Sequence, residues 1–147
     1  EGMAGGQAID LASVGKQLNR EQLQHMHRLK TGALLQASVC MGVACGAAAS
    51  AVRLALDYFG AAVGLAFQVV DDILDVVADS ATLGKTAGKD AVHDKPTYVS
   101  LLGLQAAKDY AQQLHQEALQ ALHASGLGEV QTARLRALAD MVVQRSN

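Results

Sequence analysis

The chain has 147 residues, of which 50% are hydrophobic, 3% aromatic and 18% charged. This length can bury a sizeable core in one domain, and the high apolar fraction with a net charge of −2 excludes a disordered chain. Twelve basic and 14 acidic residues give no positively charged footprint, so no nucleic-acid partner is expected.

Apolar residues recur at helical spacing along the whole chain, and no sustained alternation typical of strands is present, so we predict an all-α fold. A first helix is expected over residues 1 to about 15. Asn19 and Gln22 have the spacing of a capping box and start a second helix, and Gly46 marks a break. The remaining predicted elements are a helix over about 50–79, a polar loop over 80–96, a helix from Tyr98 to a stop at 125–126, and a helix over about 129–144.

Residues 31–52 include no charged side chain, and this stretch is long enough to cross a bilayer. Its Gly, Ala, Ser and Gln content makes it too polar for a membrane span, so we expect a helix buried in a bundle and no membrane span. Cys40 and Cys45 fall on different faces and are expected to be buried, reduced thiols. Because no secretory pattern precedes them, a cytoplasmic location is expected.

Three carboxylates, Asp71, Asp72 and Asp75, interrupt an otherwise apolar helix. Asp71 and Asp75 share a face, where two like charges are unfavourable, and burying them requires a cation. Clustered carboxylate oxygens suit Mg²⁺, which proteins commonly share with substrate phosphates. A solvated face or a structural ion pair with Lys or Arg is the alternative. Gln68, on the face of Asp71, favours a polar cavity inside a bundle that holds a metal.

Cationic residues are also placed to serve an anionic substrate. Lys30 and Thr31 present an ammonium and a hydroxyl to a phosphate oxygen, although a solvated lysine is the simpler alternative. The loop at 84–90 lacks the spacing and the preceding strand of a nucleotide P-loop, but its lysines remain point charges for phosphate. No ligand spacing is evident among the histidines, for which surface or capping roles are expected: His25, His27, His93, His115 and His123.

Five segments, in order, resemble motifs of the trans-isoprenyl diphosphate synthases. They are GQAIDL at 6–11, KTGAL at 30–34, FQVVDDILD at 67–75, GKTAGKD at 84–90 and KPTY at 95–98. The chain is most similar to the carboxy-terminal half of bacterial farnesyl diphosphate synthases. The resemblance implies an isoprenyl synthase helical bundle of which residues 1–147 form the carboxy-terminal part of a single domain.

The implied activity is a Mg²⁺-dependent prenyltransferase that condenses isopentenyl diphosphate with dimethylallyl or geranyl diphosphate to farnesyl diphosphate. A homodimer is implied as well. Asp71 would be the main Mg²⁺ ligand, with Asp72 and Asp75 binding through waters or supporting the ligand shell. The resemblance implies these further roles: Lys30, Lys85 and Lys95 contact the allylic diphosphate, Thr31 and Gln68 stabilise the allylic cation, Phe67 shapes the isopentenyl pocket, Arg145 lies near isopentenyl diphosphate, and Gln7 and Asp10 support the metal cluster.

The chain departs from the family pattern in two respects. The family's first aspartate-rich motif does not occur in these residues, and the chain begins at Glu1 without Met, so we expect a piece of a longer protein that is inactive alone. The family's terminal Arg-x-Lys is represented only by Arg145. A terpene cyclase on the same scaffold, or a non-catalytic subunit of a heteromeric synthase, are the alternative functions.

Overall fold

The computed structural model describes the backbone of residues 2–82 and 96–145, and the side chains of 2–78 and 96–145. Within these ranges every regular element is a helix, which confirms the all-α prediction. The elements are α1 (Gly2–Ala12), α2 (Arg20–His27), a π-helical turn (Arg28–Gly32), α3 (Ala33–Ala44), α4 (Ser50–Thr82), α5 (Tyr98–Leu102), α6 (Leu104–Ala124) and α7 (Glu129–Gln144).

The second helix begins at the predicted capping box. The Asn19 side chain accepts a hydrogen bond from the Gln22 backbone N–H, and the Gln22 side chain accepts one from the Asn19 backbone N–H. Helical structure then continues through α2, the π-turn and α3 without interruption. In the π-turn the Ala33 N–H donates to the Arg28 carbonyl five residues back, instead of four. The sequence pattern predicted the helix but not this wider turn.

The central element is α4, which packs most extensively on α6 and also contacts α3 and α7. Its apolar face supplies much of the core, in which Phe59 and Val69 are fully buried and to which α2, α5, α6 and α7 also contribute. This burial stabilises the fold by roughly 1.5–3 kcal/mol for each large apolar side chain. The helix begins at the predicted Ser50 and ends at Thr82, three residues beyond the predicted end.

Two predictions about the helices are wrong. The helix expected from Tyr98 to residue 125 is divided at Gly103, whose φ of 83° lies in the left-handed region that favours glycine, so α5 ends there and α6 begins. The break at Gly46 is found, but α3 includes no fully buried residue, and Leu34 and Met41 are exposed on it. Because α3 packs along one side only, most of this apolar run lies at the surface of the described region.

The thiols follow from the placement of α3. Cys40 is only partly buried and Cys45 is exposed, so the expected burial of both is wrong, and both are free thiols. Cys40 Sγ donates to an Asp57 carboxylate oxygen at 3.2 Å, and this hydrogen bond raises the pKa of the thiol.

None of the helices in the described ranges is both long and apolar enough to cross a membrane.

Candidate functional site

Lys30 of the π-turn contacts α1. Lys30 Nζ donates to Asp10 Oδ2 at 2.7 Å, and Asp10 is buried while the lysine side chain is 31% exposed. A buried carboxylate needs a close cation, because taking an isolated charge out of water costs several kcal/mol. Lys30 thus compensates Asp10 and keeps part of its side chain accessible.

Thr31, the next residue of the turn, faces α4. Its hydroxyl donates to Gln68 Oε1 at 2.5 Å, and Gln68 Nε2 donates to Asp71 Oδ2 at 3.4 Å. The first contact fixes the orientation of the amide, because the oxygen that accepts from Thr31 leaves the nitrogen to face the carboxylate. Thr31, Gln68 and Asp71 therefore form a row of polar groups across the π-turn and α4.

Arg145 joins this row from the end of α7. Its guanidinium donates to Asp71 Oδ1 at 3.1 Å and lies over the Phe67 ring, 4.3 Å from the centroid. A guanidinium binds a carboxylate and stacks on an aromatic face at the same time, which a lysine does less well. We refer to Asp10, Lys30, Thr31, Gln68, Asp71 and Arg145 together as the polar cluster.

Asp72, the residue after Asp71 on α4, forms its hydrogen bond with α5. It is buried, and its Oδ2 accepts a hydrogen bond of 2.8 Å from the backbone N–H of Tyr98, the first residue of α5. Burial raises the pKa of Asp72 to about 7, and the Tyr98 hydrogen bond opposes this rise. Because it is enclosed in this way, the Asp72 carboxyl connects α4 to α5 and is not accessible as a metal ligand.

His27 and Tyr98, which were not among the predicted site residues, complete this buried region. The rings of His27 and Tyr98 are stacked with centroids 5.5 Å apart, and the Tyr98 ring contacts Tyr110 at the same distance. Burial lowers the pKa of His27 to about 4, so its ring is neutral at pH 7. His27 Nε2 lies 3.7 Å from Asp72, too far for a hydrogen bond.

The surface or capping role expected for the histidines is therefore wrong for His27. It is buried because Tyr98, far away in sequence, covers its ring. The available signal was its position four residues after the fully buried Leu23, on the same helix face. His115 also has a partner remote in sequence, with Nε2 at 2.7 Å from Asp140 Oδ1.

The carboxylates of α4 provide a limited donor set for a metal. The Asp71 side chain is 48% exposed, and Asp75 is exposed one turn further along. Within 2–78 and 96–145, no three His, Cys, Asp or Glu side chains form a group that could hold a metal ion. Mg²⁺ commonly binds through one or two carboxylates and keeps waters or substrate phosphates as other ligands, so the chemistry of Asp71 fits this ion.

The remaining predicted site residues lie on α1 or outside the described residues. Gln7 lies one turn before Asp10 on α1 and is partly exposed. Lys85 and Lys95 lie outside the described residues, as does His93. Of the twelve predicted site residues, the structure brings together Asp10, Lys30, Thr31, Phe67, Gln68, Asp71 and Arg145.

Comparison with known families shows which family the chain belongs to. A polyprenyl synthetase family model matches residues 1–134. The chain belongs to the polyprenyl synthetase family. A curated member of this kind, a probable farnesyl diphosphate synthase from Bradyrhizobium diazoefficiens, is 49% identical over the whole chain, which covers 43% of that protein. The chain thus spans less than half the length of this polyprenyl synthetase relative.

Solved structures give the same fold. A putative farnesyl-diphosphate synthase from Marinomonas sp. MED121 superposes with a TM-score of 0.79 at 36% identity, over 97% of this chain and 47% of that one. The geranyltransferase of Helicobacter pylori, solved with magnesium and isoprenyl diphosphate, has a TM-score of 0.73 at 38% identity over 97% of this chain and 46% of its own. The isoprenyl synthase bundle predicted from the sequence is confirmed.

Proposed function

We propose that the complete natural protein is a Mg²⁺-dependent prenyltransferase that condenses isopentenyl diphosphate with dimethylallyl or geranyl diphosphate to farnesyl diphosphate. The 147 residues would supply the carboxy-terminal part of its single catalytic domain. The observation that carries the proposal is the row of Thr31, Gln68 and Asp71, which begins at the residue after Lys30 in the π-turn, in a chain of the polyprenyl synthetase family. Lys30 supplies a cation, Thr31 and Gln68 supply oxygen dipoles, and Asp71 supplies a carboxylate, which is the set a diphosphate leaving group and a carbocation need.

The reaction breaks the C1–O bond of the allylic substrate, and its electron pair leaves with the diphosphate. The double bond of isopentenyl diphosphate then forms the new C–C bond to C1, and a proton is lost. The ammonium of Lys30 faces the departing charge, assisted by Lys85 and Lys95. The oxygens of Thr31 and Gln68 stabilise the allylic cation, as fixed dipoles do in a site from which water is excluded.

Asp71 is the residue that would hold Mg²⁺, which when bound neutralises charge on the diphosphate. Asp72 and Asp75 would support that carboxylate, and Gln7 and Asp10 would support the metal cluster. The buried, backbone-bonded Asp72 suits this supporting role. On the isopentenyl side, Phe67 and Arg145 act as one unit, because the guanidinium is stacked on the ring.

We also propose that the protein is a homodimer in the cytoplasm. The exposed apolar side chains of α3, Leu34 and Met41, support an interface on that helix. Light scattering during gel filtration tests the state directly, because a dimer doubles the mass of the single chain. A monomeric mass at micromolar concentration would contradict the dimer without affecting the proposed reaction.

A transfer assay tests the proposed reaction. The complete natural protein is incubated with labelled isopentenyl diphosphate, geranyl diphosphate and Mg²⁺, and the labelled product is extracted and identified. We expect farnesyl diphosphate, none in EDTA, and a loss of about 100-fold in kcat for Lys30→Ala. The matched control Lys16→Ala removes an exposed lysine and is expected to stay within twofold of the wild type.

The same assay separates the two alternatives. Product formed from geranyl diphosphate without isopentenyl diphosphate would indicate a terpene cyclase and contradict the proposal. No turnover by the purified protein, combined with turnover after addition of a larger synthase subunit, would indicate a non-catalytic partner. Equal rates for Lys30→Ala and Lys16→Ala would show that Lys30 takes no part in the reaction, even if product forms.

A further inference from the structure

Two glycines lie against the π-turn from opposite neighbours. A Cβ built on Gly6 of α1 would overlap the backbone nitrogen and Cα of Lys30. A Cβ built on Gly64 of α4 would lie 2.9 Å from the Gly32 Cα. The atoms in the way belong to backbone, which cannot rotate aside as a side chain can. Only glycine allows α1 and α4 to approach the turn this closely.

Each glycine precedes a residue of the polar cluster by four positions. Asp10 follows Gly6 on α1, and Gln68 follows Gly64 on α4. Residues four apart lie on one helix face, so the face that touches the turn is also the face that presents the polar partner. Asp10 then meets Lys30, and Gln68 meets Thr31.

We propose that Gly6 and Gly64 are positioning residues: by admitting α1 and α4 to direct backbone contact with the π-turn, they set Lys30 against Asp10 and Thr31 against Gln68. The catalytic consequence of this inference rests on the proposed function. A methyl group added at Gly6 moves α1 outward and lengthens the contact of Lys30 with α1. A methyl group added at Gly64 moves α4 outward and lengthens the contact of Thr31 with α4. Each substitution leaves the contact of the other helix unchanged. The two glycines therefore act on different members of the polar cluster.

Alanine substitutions in the complete natural protein test this, and the chain offers a matched control. Gly5→Ala on α1 is the control for both Gly6→Ala and Gly64→Ala, because a Cβ at Gly5 meets nothing within 4 Å. Alanine favours a helix over glycine at all three sites, so intrinsic propensity does not explain a loss. We expect kcat to fall about 10- to 100-fold for Gly6→Ala and Gly64→Ala, and less than twofold for the control.

Double variants separate positioning from general damage. If Gly6 acts through Lys30, Gly6→Ala lowers kcat little further in a Lys30→Ala background, and Gly64→Ala lowers it little further in a Thr31→Val background. Losses that multiply would overturn the inference. If Gly6→Ala does not fold, the Gly64 pair decides, because the overlap of its Cβ is smaller.

A spectroscopic measurement tests the placement independently of the reaction. Lysines are methylated with ¹³C-formaldehyde, and the Lys30 signal is assigned by its absence in Lys30→Arg. We expect it to lie apart from the signals of the exposed Lys16 and Lys108, to move to their position in Gly6→Ala, and to stay in Gly5→Ala. An unchanged Lys30 signal in Gly6→Ala contradicts the inference, whereas a wild type without transfer activity contradicts only the proposed function.

Discussion

The two faces of α4 differ in their interactions: one is packed by apolar burial and the other is connected by hydrogen bonds. One face contributes Phe59 and Val69 to the apolar core, where both side chains are fully buried. The other presents Gln68 to Thr31 of the π-turn and Asp71 to Arg145, the residue after α7. Burial is non-directional and scales with area, whereas these hydrogen bonds depend on tenths of an ångström. We therefore expect the apolar face to determine stability and, under the proposed function, the polar face to determine reactivity.

Loss of a core side chain is expected to have the largest effect on stability. Phe59→Ala removes a fully buried ring and leaves a cavity, which lowers the free energy of unfolding by about 3–5 kcal/mol. Leu54→Ala, on the same helix but 58% exposed, is expected to cost less than about 1 kcal/mol. Denaturant titration of the complete natural protein measures both. Comparable losses for the two variants would contradict the description of this face.

The pH dependence of stability tests the buried contact between α2 and α4. Asp72, with a folded pKa of about 7 against 3.8 ordinarily, contributes stability that is present below pH 3.8 and lost as pH rises through 7. His27, with a folded pKa of about 4 against 6.5, contributes stability that is present above pH 6.5 and lost as pH falls through 4. The two dependences oppose one another in the wild type.

Single variants should expose each dependence. Relative to the wild type in EDTA, we expect the free energy of unfolding of Asp72→Asn to increase as pH rises from 4 to 7, and that of His27→Gln to increase as pH falls from 6.5 to 4. Each change should amount to about 1–3 kcal/mol. Denaturation curves at several pH values measure this. Variants that follow the wild type at a constant offset would show that neither group has a shifted pKa.

On the polar face the expected effect on stability is smaller and that on rate is larger. Thr31→Val keeps the shape of the side chain but removes the donor to Gln68, at a cost of about 1 kcal/mol in stability. We expect kcat to fall about 10-fold, and Thr31→Ser to restore most of it because the hydroxyl returns. If Thr31→Val and Thr31→Ser have the same kcat, the hydroxyl does not take part.

The smallest effect on stability is expected at Arg145. Its ion pair with Asp71 is partly exposed, and such pairs contribute less than about 1 kcal/mol. Arg145→Lys keeps the charge but loses the stacking on Phe67, so we expect the KM for isopentenyl diphosphate to rise about 3-fold with little change in the free energy of unfolding. A loss of stability as large as that of Phe59→Ala would mean that Arg145 belongs to the core.

The sequence predicts features that are encoded locally. The capping box at Asn19 involves residues three apart, and α7 occupies the predicted range of 129–144. The carboxylates of α4 and the Lys30–Thr31 pair were identified because charged and polar groups are conspicuous in apolar helices. Family motifs then indicated which of these groups belong to one site, and the structure joins several of them.

Other features depend on residues remote in sequence. His27 is buried by Tyr98, and α3 is exposed because nothing in the described region covers its outer side.

Two local backbone features also could not be predicted. The π-turn shifts one backbone hydrogen bond by one residue, which no residue type in 28–32 specifies. The turn at Gly103 depends on a φ that glycine permits but does not require.

Asp71 and its neighbours are proposed to bind a diphosphate together with Mg²⁺. Calorimetric titration of the complete natural protein with methylenebisphosphonate, a non-hydrolysable diphosphate analogue, tests it most directly. We predict binding in Mg²⁺ but not in EDTA, at least 10-fold weaker binding for Asp71→Asn, and unchanged binding for the control Asp109→Asn, an exposed aspartate of α6. Equal affinity with and without Mg²⁺, or an Asp71→Asn variant that binds as the wild type does, would contradict the claim.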